Sequence, residues 1–253
     1  MSTISSQAVL LRKIEFGDYD YIITFLTKDK GKIVAIAKNA KKSIKRFSGK
    51  LELFSVLHIV LNYGKRKGLP ILQEVNLEYP FELIRTDIVK ASYSSYWSEI
   101  LTNWLEEDKK QKKLYALLFF LLGAINEGEI SLGELNIWFL TKFMEISGFL
   151  PNLKGCIKCH KTVDQIKQNT VFFDFSKGGL VCKECPDKSP RGVYISKGTI
   201  KHLLWVNLTG NKIATRVKFA EYAIREGESF LESFLPYCLG RKTRSLKVLQ
   251  KIR

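Results

Sequence analysis

Four cysteines, Cys156, Cys159, Cys182 and Cys185, stand as two CxxC pairs with 22 residues between them. Each pair makes a tight knuckle that turns two thiols, with nearby backbone N–H groups, toward one point. Two knuckles together supply four sulfur ligands in a tetrahedron, the set that Zn2+ favours. Two disulfides, free thiols or iron are the competing readings of the same four residues. A four-thiolate set leaves no open coordination position, so a zinc ion here holds shape and does not activate water. His160 adjoins Cys159, but adjacent side chains rarely converge on one ion, and it reads as solvent-facing. The fifth cysteine, Cys238, stands alone and reads as a small buried residue. No H-x-E motif accompanies a P-C-x-x-C, so a zinc deaminase has no support.

A second constellation is electrostatic. Residues 37–51, AKNAKKSIKRFSGKL, hold Lys38, Lys41, Lys42, Lys45, Arg46 and Lys50 and no acid. A second basic turn follows at Lys65, Arg66 and Lys67. Over residues 28–67 there are twelve Lys or Arg against Asp29 and Glu52, a local charge of +10 out of +16 for the whole chain. Such clustering is relieved when a polyanion sits on it: phosphates neutralise the cations, and an aromatic at the edge, here Phe47 or Tyr63, offers a stacking face. A solvated loop carrying solubility charges is the plainer alternative. A further basic site is expected at Arg241, Lys242 and Arg244, within the tail RKTRSLKVLQKIR.

The remaining chemistry is sparse. No GxxxxGK[ST], no GxGxxG after a strand and no local Ser–His–Asp signature occurs, and there are three histidines. His58 reads as a strand residue and His202 as a helix residue. Nothing points to an enzyme. Tyr93, Tyr96, Trp97 and Trp104, then Phe119, Phe120, Trp138, Phe139 and Phe143, recur at helical spacing and read as core. The start, MSTISSQAVLLRKI, lacks the basic-then-apolar pattern of a secretory signal. The most apolar run, Leu114–Ile125, is too short to span a bilayer. A cytoplasmic protein without a membrane partner is the expectation, and disulfides are uncommon in that compartment.

The elements that position these groups fall into two kinds. Residues 7–76 contain five β-rich segments: QAVLLRKI, YIITFLT, KIVAIAK, LELFSVLHIVLN and LPILQEVN. The break TKDKGK suits a tight hairpin with Gly31 at positive φ, and YGKRKG a second one. Five strands with one long basic connection fit a small closed barrel, with an OB-fold leading and an SH3-like barrel as the alternative. After Pro80 the period becomes helical, over Asp87–Glu107, Leu114–Ile125 and Leu135–Ile146, with Gly148 and Pro151 as a stop. Residues 152–192 are rich in turns, and a hairpin within TVFFDFSKGGLV is expected to absorb the long cysteine spacer. Helix returns over 198–235. The fold class expected is α+β: an N-terminal five-stranded OB-like barrel at 1–79, then a helical domain at 80–253 with an inserted four-cysteine zinc module at about 152–190.

In order and spacing these pieces resemble the bacterial RecO family of recombination mediators, over nearly the whole length. VLLRKIEFGDYDYIITFLTKDKGKIVAIAKNAKK is similar to the family's first strands and following loop. IKRFSGKLELFSVLHIVLNYGKRKGLPILQEVNL is similar to its basic-aromatic-Gly stretch, its next strand and its Gly-rich hairpin. FLPNLKGCIKC with GGLVCKEC resembles its zinc module, and LPYCLGRKTRSLKVL its closing helix motif. The resemblance implies an OB-fold, a helical middle and one structural zinc. It implies binding of single- and double-stranded DNA without sequence preference and annealing of complementary strands. It further implies that, with RecR, the protein loads RecA onto DNA coated by single-stranded-DNA-binding protein, whose acidic C-terminal tail it docks. The family's basic-aromatic-Gly stretch maps onto Lys45, Arg46, Phe47, Ser48 and Gly49. The family's arginine-rich loop is here mostly lysine, at Lys38, Lys41 and Lys42, and lysine contacts phosphate as a point charge rather than a bidentate fork. The competing class is an RNA-binding factor, since a barrel plus a zinc ribbon also suits ribosomal or transfer RNA.

Overall fold

The first strand shows how the barrel closes. In the computed structural model, which describes residues 2–64, 68–185, 191–208 and 219–253, β1 runs over Ser2–Phe16. Its first half pairs with β4 (Val56–Tyr63) from Ser2 to Val9, and its second half with β2 (Asp20–Thr27) from Ala8 to Phe16. The register with β2 slips between Leu10 and Arg12, and such a bulge bends a strand so that one strand can serve two sheet walls. β3 (Gly31–Ala37) pairs antiparallel with β2, and β5 (Ile71–Tyr79) antiparallel with β4. A single parallel pairing, Ile36 with Ile71, joins β3 to β5. The result is a closed barrel in the order β1-β2-β3-β5-β4, the OB-type arrangement expected.

Strand alternation places the core. Ala8, Leu10, Ile23, Phe25, Ile33, Ala35, Leu57, Ile59, Leu61 and Leu72 fill the barrel. The β2–β3 hairpin turns at Gly31, with φ at 77°. A Cβ there would overlap the carbonyl oxygen of Lys109, so both the turn and the close passage of residues 107–109 require glycine. Thr27 ties the turn, its Oγ1 donating to the Gly31 carbonyl at 2.9 Å and accepting from the Lys30 amide at 3.0 Å.

The helices follow in order: α1 (Glu82–Arg85), α2 (Ile88–Trp104), α3 (Lys112–Glu127) and α4 (Leu132–Ser147). Asp87 caps α2 by accepting from the amides of Val89 and Lys90 at 2.8 and 3.1 Å. Gly148 ends α4 in the left-handed region, as the stop signal predicts. Next come β6 (Asn152–Cys156), β7 (Thr170–Asp174), β8 (Gly179–Val181) and β9 (Gly192–Ser196), a four-stranded sheet ordered β6-β8-β7-β9. The chain finishes with α5 (Lys197–Leu208), α6 (Glu221–Leu239) and α7 (Arg244–Ile252). The expected TVFFDFSKGGLV hairpin is β7–β8, while β9 extends the sheet beyond the cysteine segment.

The chain divides into two compact units, residues 1–129 with 243–253, and residues 130–242. In the first, Tyr93, Tyr96, Trp97, Ile100 and Leu101 of α2 are buried, as are Leu118, Leu121 and Leu122 of α3. In the second, Phe173 of β7 meets Phe230 and Phe234 of α6 edge-on, at 4.8 and 5.1 Å between centroids. Most aromatics read as core are core. Phe120 differs, on the exposed side of α3. Among the described residues no helix is long and apolar enough to cross a membrane.

Candidate nucleic-acid interface and metal centre

The basic stretch between β3 and β4 is not a free loop. Where β3 and β5 part after their single pairing, Ala40, Phe47 and Leu51 fold back into the barrel core. Lys50 Nζ donates to the carbonyl oxygen of Val75 on β5 at 3.2 Å, fastening the returning end. At the outgoing end Asn39, with φ at 55°, donates its amide to Asp20 Oδ1 at 2.7 Å, and Lys41 donates its amide to the Tyr19 carbonyl at 3.0 Å. Three apolar anchors thus hold a rim of cations against the barrel.

The cations divide by what they touch. Lys38, Lys42, Lys45 and Arg46 are exposed. Lys41 pairs with Glu15 at 2.8 Å. The hydrogen bond between them, and then their charges, hold the Glu15 carboxyl below its ordinary value; the same bond raises Lys41. Lys42 Nζ lies 3.6 Å from the Tyr19 ring centroid, and Arg46 lies 4.8 Å from that of Phe47. Lys50 is half-buried on Val75 and contributes to the rim's anchorage more than to its free charge. Lys65, Arg66 and Lys67 lie outside the described residues. Arg241, Lys242 and Arg244 are each exposed.

One expectation is corrected. Phe47 is 2% exposed and belongs to the barrel core. It offers no face to a base; the loop has no strand or helix period that would reveal which way this ring turns. Tyr63 packs against the core as well, its hydroxyl donating to Asp108 at 3.4 Å. The aromatics Tyr93, Tyr96, Trp97, Trp138, Phe139 and Phe143 are buried, as their helical spacing predicts.

The cysteines converge as their spacing requires. β6 and β8 are parallel neighbours; β6 ends on Cys156 and β8 ends one residue before Cys182. Both knuckles therefore leave the same end of the sheet. The first is closed by the Cys156 amide donating to the Lys161 carbonyl and the His160 amide to the Cys156 carbonyl, each at 2.9 Å; the second by Cys185 to Cys182 at 3.0 Å. A Cβ on Gly155 would overlap the Lys161 carbonyl, so the first knuckle needs that glycine. All four Sγ atoms lie within 4.8 Å of one another, and those of Cys159 and Cys182 are 3.6 Å apart. A tetrahedron with Zn–S bonds of about 2.3 Å has edges of about 3.8 Å, so the donor set fits zinc. Burial raises Cys156, but amides of Cys159, Cys182 and Lys158 outweigh it and hold the thiol down at about 6. Burial and then the neighbouring sulfurs push Cys185 up to about 12. Four thiolates repel one another here unless a cation joins them. His160 is exposed, as expected of a non-ligand, and Cys238 is half-buried in α6.

Three strands also bring together a set with no sequence signature. Ser5 Oγ is 2.7 Å from His58 Nε2, and His58 Nδ1 is 3.6 Å from Glu78 Oε1. The order resembles a hydrolytic triad, but the side chains lie on an outer, solvated sheet face. Acyl transfer also needs oxyanion donors and exclusion of water. The geometry supports a surface hydrogen-bond ladder.

The class defined by these parts is a two-unit α+β protein combining an OB-type barrel with a four-thiol module. The chain matches the family model for the recombination protein O N terminal domain over residues 1–81 and that for the recombination protein O C terminal domain over residues 85–247. It is 41% identical to the DNA repair protein RecO of Desulfatibacillum aliphaticivorans, covering 100% of this chain and 98% of that protein. It is 38% identical to the DNA repair protein RecO of Desulfosudis oleivorans, covering 100% and 99%, and 31% identical to that of Syntrophus aciditrophicus, covering 100% and 97%. The chain belongs to the RecO family.

Proposed function

We propose that this protein is a non-enzymatic DNA repair and recombination mediator that grips DNA by its phosphates through the barrel rim. Family membership supports the repair and recombination role. The observation that carries the binding mode is the rim itself: Lys38, Lys42, Lys45 and Arg46 are exposed on a loop pinned by Ala40, Phe47 and Leu51. Pinning lowers the ordering cost of binding, since the backbone is held before DNA arrives. Contacts of this kind go to phosphates and carry no sequence information, so single strands and duplex both bind. Annealing follows from the same chemistry. Cations screen the repulsion of two strands, and phosphate contacts leave base edges free to pair.

The finer role is exchange: with RecR, loading RecA onto DNA coated by single-stranded-DNA-binding protein, and docking that protein's acidic tail. The exposed cations Arg241, Lys242 and Arg244 are the charges proposed for secondary contacts. Zinc, one per chain, is proposed on Cys156, Cys159, Cys182 and Cys185, where it would neutralise the thiolates and join the two knuckles. The RNA-factor reading finds no support, because the family match is to DNA repair proteins. The test is annealing of complementary strands precoated with single-stranded-DNA-binding protein. Acceleration by wild-type protein, lost on reversing the rim charges, is expected; equal rates with and without protein would refute the mediator role.

A further inference from the structure

The burial of Phe47 leaves a phosphate-binding rim without its anticipated aromatic. A different aromatic occupies that place. The β1–β2 connection, Gly17 to Tyr19, turns with Gly17 at a φ of 58° and leaves the Tyr19 side chain 42% exposed. This turn and the strand ends that flank it, Glu15 on β1 and Asp20 on β2, are joined to the cationic loop. The Lys41 amide donates to the Tyr19 carbonyl at 3.0 Å, and the Asn39 amide to Asp20 Oδ1 at 2.7 Å. Lys41 Nζ donates to the Gly17 carbonyl at 3.4 Å and pairs with Glu15 at 2.8 Å. Loop and turn therefore present one surface, with Lys42 Nζ seated 3.6 Å from the Tyr19 ring centroid.

We propose that Tyr19 is the base-stacking residue of this surface and makes its grip on single strands stronger than phosphate contact alone provides. The proposal rests on the reading of the rim as a DNA site. The physical reasons are three. An exposed aromatic face beside cations is the design of sequence-tolerant single-strand binders, because every base has a π-face. The connection between the first two strands of an OB barrel is one of the places where that fold takes oligonucleotides. The backbone of the turn is already fixed to the lysine loop, so a base on Tyr19 puts its own phosphate within reach of Lys42. Exposed cation–aromatic contacts are weak, and Lys42 can leave the ring for a phosphate at small cost. Stacking uses the face of a base and leaves its pairing edge open, so Tyr19 would hold a strand in a form still able to anneal.

Duplex bases are stacked on each other and present no free face. That difference gives the test. Affinities of full-length wild type, Tyr19→Ala, Tyr19→Phe and a variant with Lys38, Lys42, Lys45 and Arg46 changed to Glu are measured for an oligothymidine of about twenty nucleotides and for duplex of the same length. Tyr19→Ala is expected to weaken oligothymidine binding about tenfold. Duplex binding and the salt dependence should stay unchanged, and Tyr19→Phe should behave as wild type. Photocrosslinking with 5-iodouracil in the oligonucleotide should label Tyr19. Wild-type affinity of Tyr19→Ala for the oligothymidine, or equal weakening for single strand and duplex, overturns the stacking role. If the charge-reversed variant loses binding while Tyr19→Ala does not, only the stacking proposal falls. If the folded charge-reversed variant binds as wild type does, the rim reading falls and this proposal with it.

Discussion

Arg46 and Phe47 are neighbours in sequence and opposite in fate: the guanidinium is exposed 4.8 Å above a ring that is 2% exposed. The ring is the peg that seats the loop, and the cation is what the peg presents. Phe47→Ala should therefore act through stability. Emptying a buried phenylalanine site costs about 3–5 kcal/mol, and the barrel's denaturant midpoint should fall accordingly. Phe47→Leu, which refills most of the volume, should keep both fold and DNA affinity. A Phe47→Leu protein that folds normally but loses single-strand binding would return the ring to a direct contact role.

The four-thiol centre should carry close to one zinc per chain by elemental analysis. Structural zinc contributes about 10–16 kcal/mol of apparent folding free energy in small zinc modules. Cys156→Ser or a strong chelator should therefore loosen residues 152–185, read as faster amide exchange on β6 and β8. The barrel's exchange should stay unchanged. Metal-free protein with both strands still protected would contradict this.

Glu99 holds the start of α7 across 145 residues of sequence. Its carboxylate accepts from the Arg244 amide at 2.9 Å, the Ser245 amide at 2.7 Å and the Ser245 hydroxyl. Burial raises this carboxyl, but those hydrogen bonds and the Arg244 charge outweigh it and hold it below its ordinary 4.5. A folded value below the unfolded one adds stability that is present above about pH 4.5 and is lost as pH falls through the folded value. The amide of Leu249, a residue buried on α7, should lose protection, measured against the intrinsic exchange rate at each pH, as the solution is acidified below that range. Glu99→Gln should show the lower protection already at neutral pH and little further loss of protection in acid. Equal protection of α7 in wild type and variant at neutral pH would rule the clamp out.

What sequence makes legible follows from period and spacing. The five strands are visible in their β-branched runs, Gly31 in its turn, the helix stop in Gly148, and the thiol cluster in the CxxC pairs. The boundary at residue 80 marks where period two gives way to helix, while the compact unit containing the barrel also takes in α1–α3 and α7. Three features escape such reading. Phe47 sits in an aperiodic loop, where nothing local tells inside from outside. GVYIS is short and becomes β9 through pairing with β7, from Thr170–Ser196 to Asp174–Gly192. Tyr19 gains meaning from Lys41 and Lys42, which the β2–β3 hairpin brings back beside it.

The central claim is that exposed cations on a pinned rim bind DNA through phosphates. Its most direct test is the salt dependence of oligothymidine affinity for wild type and for the variant with Lys38, Lys42, Lys45 and Arg46 changed to Glu, with circular dichroism confirming that both are folded. Lys41 is left in place because it pairs with Glu15. Four neutralised phosphates predict a slope of log affinity against log salt of about −3 in wild type. The variant should bind far more weakly at low salt and with a much shallower slope. An equally tight, equally salt-sensitive variant would contradict the account and place the DNA site elsewhere on the chain.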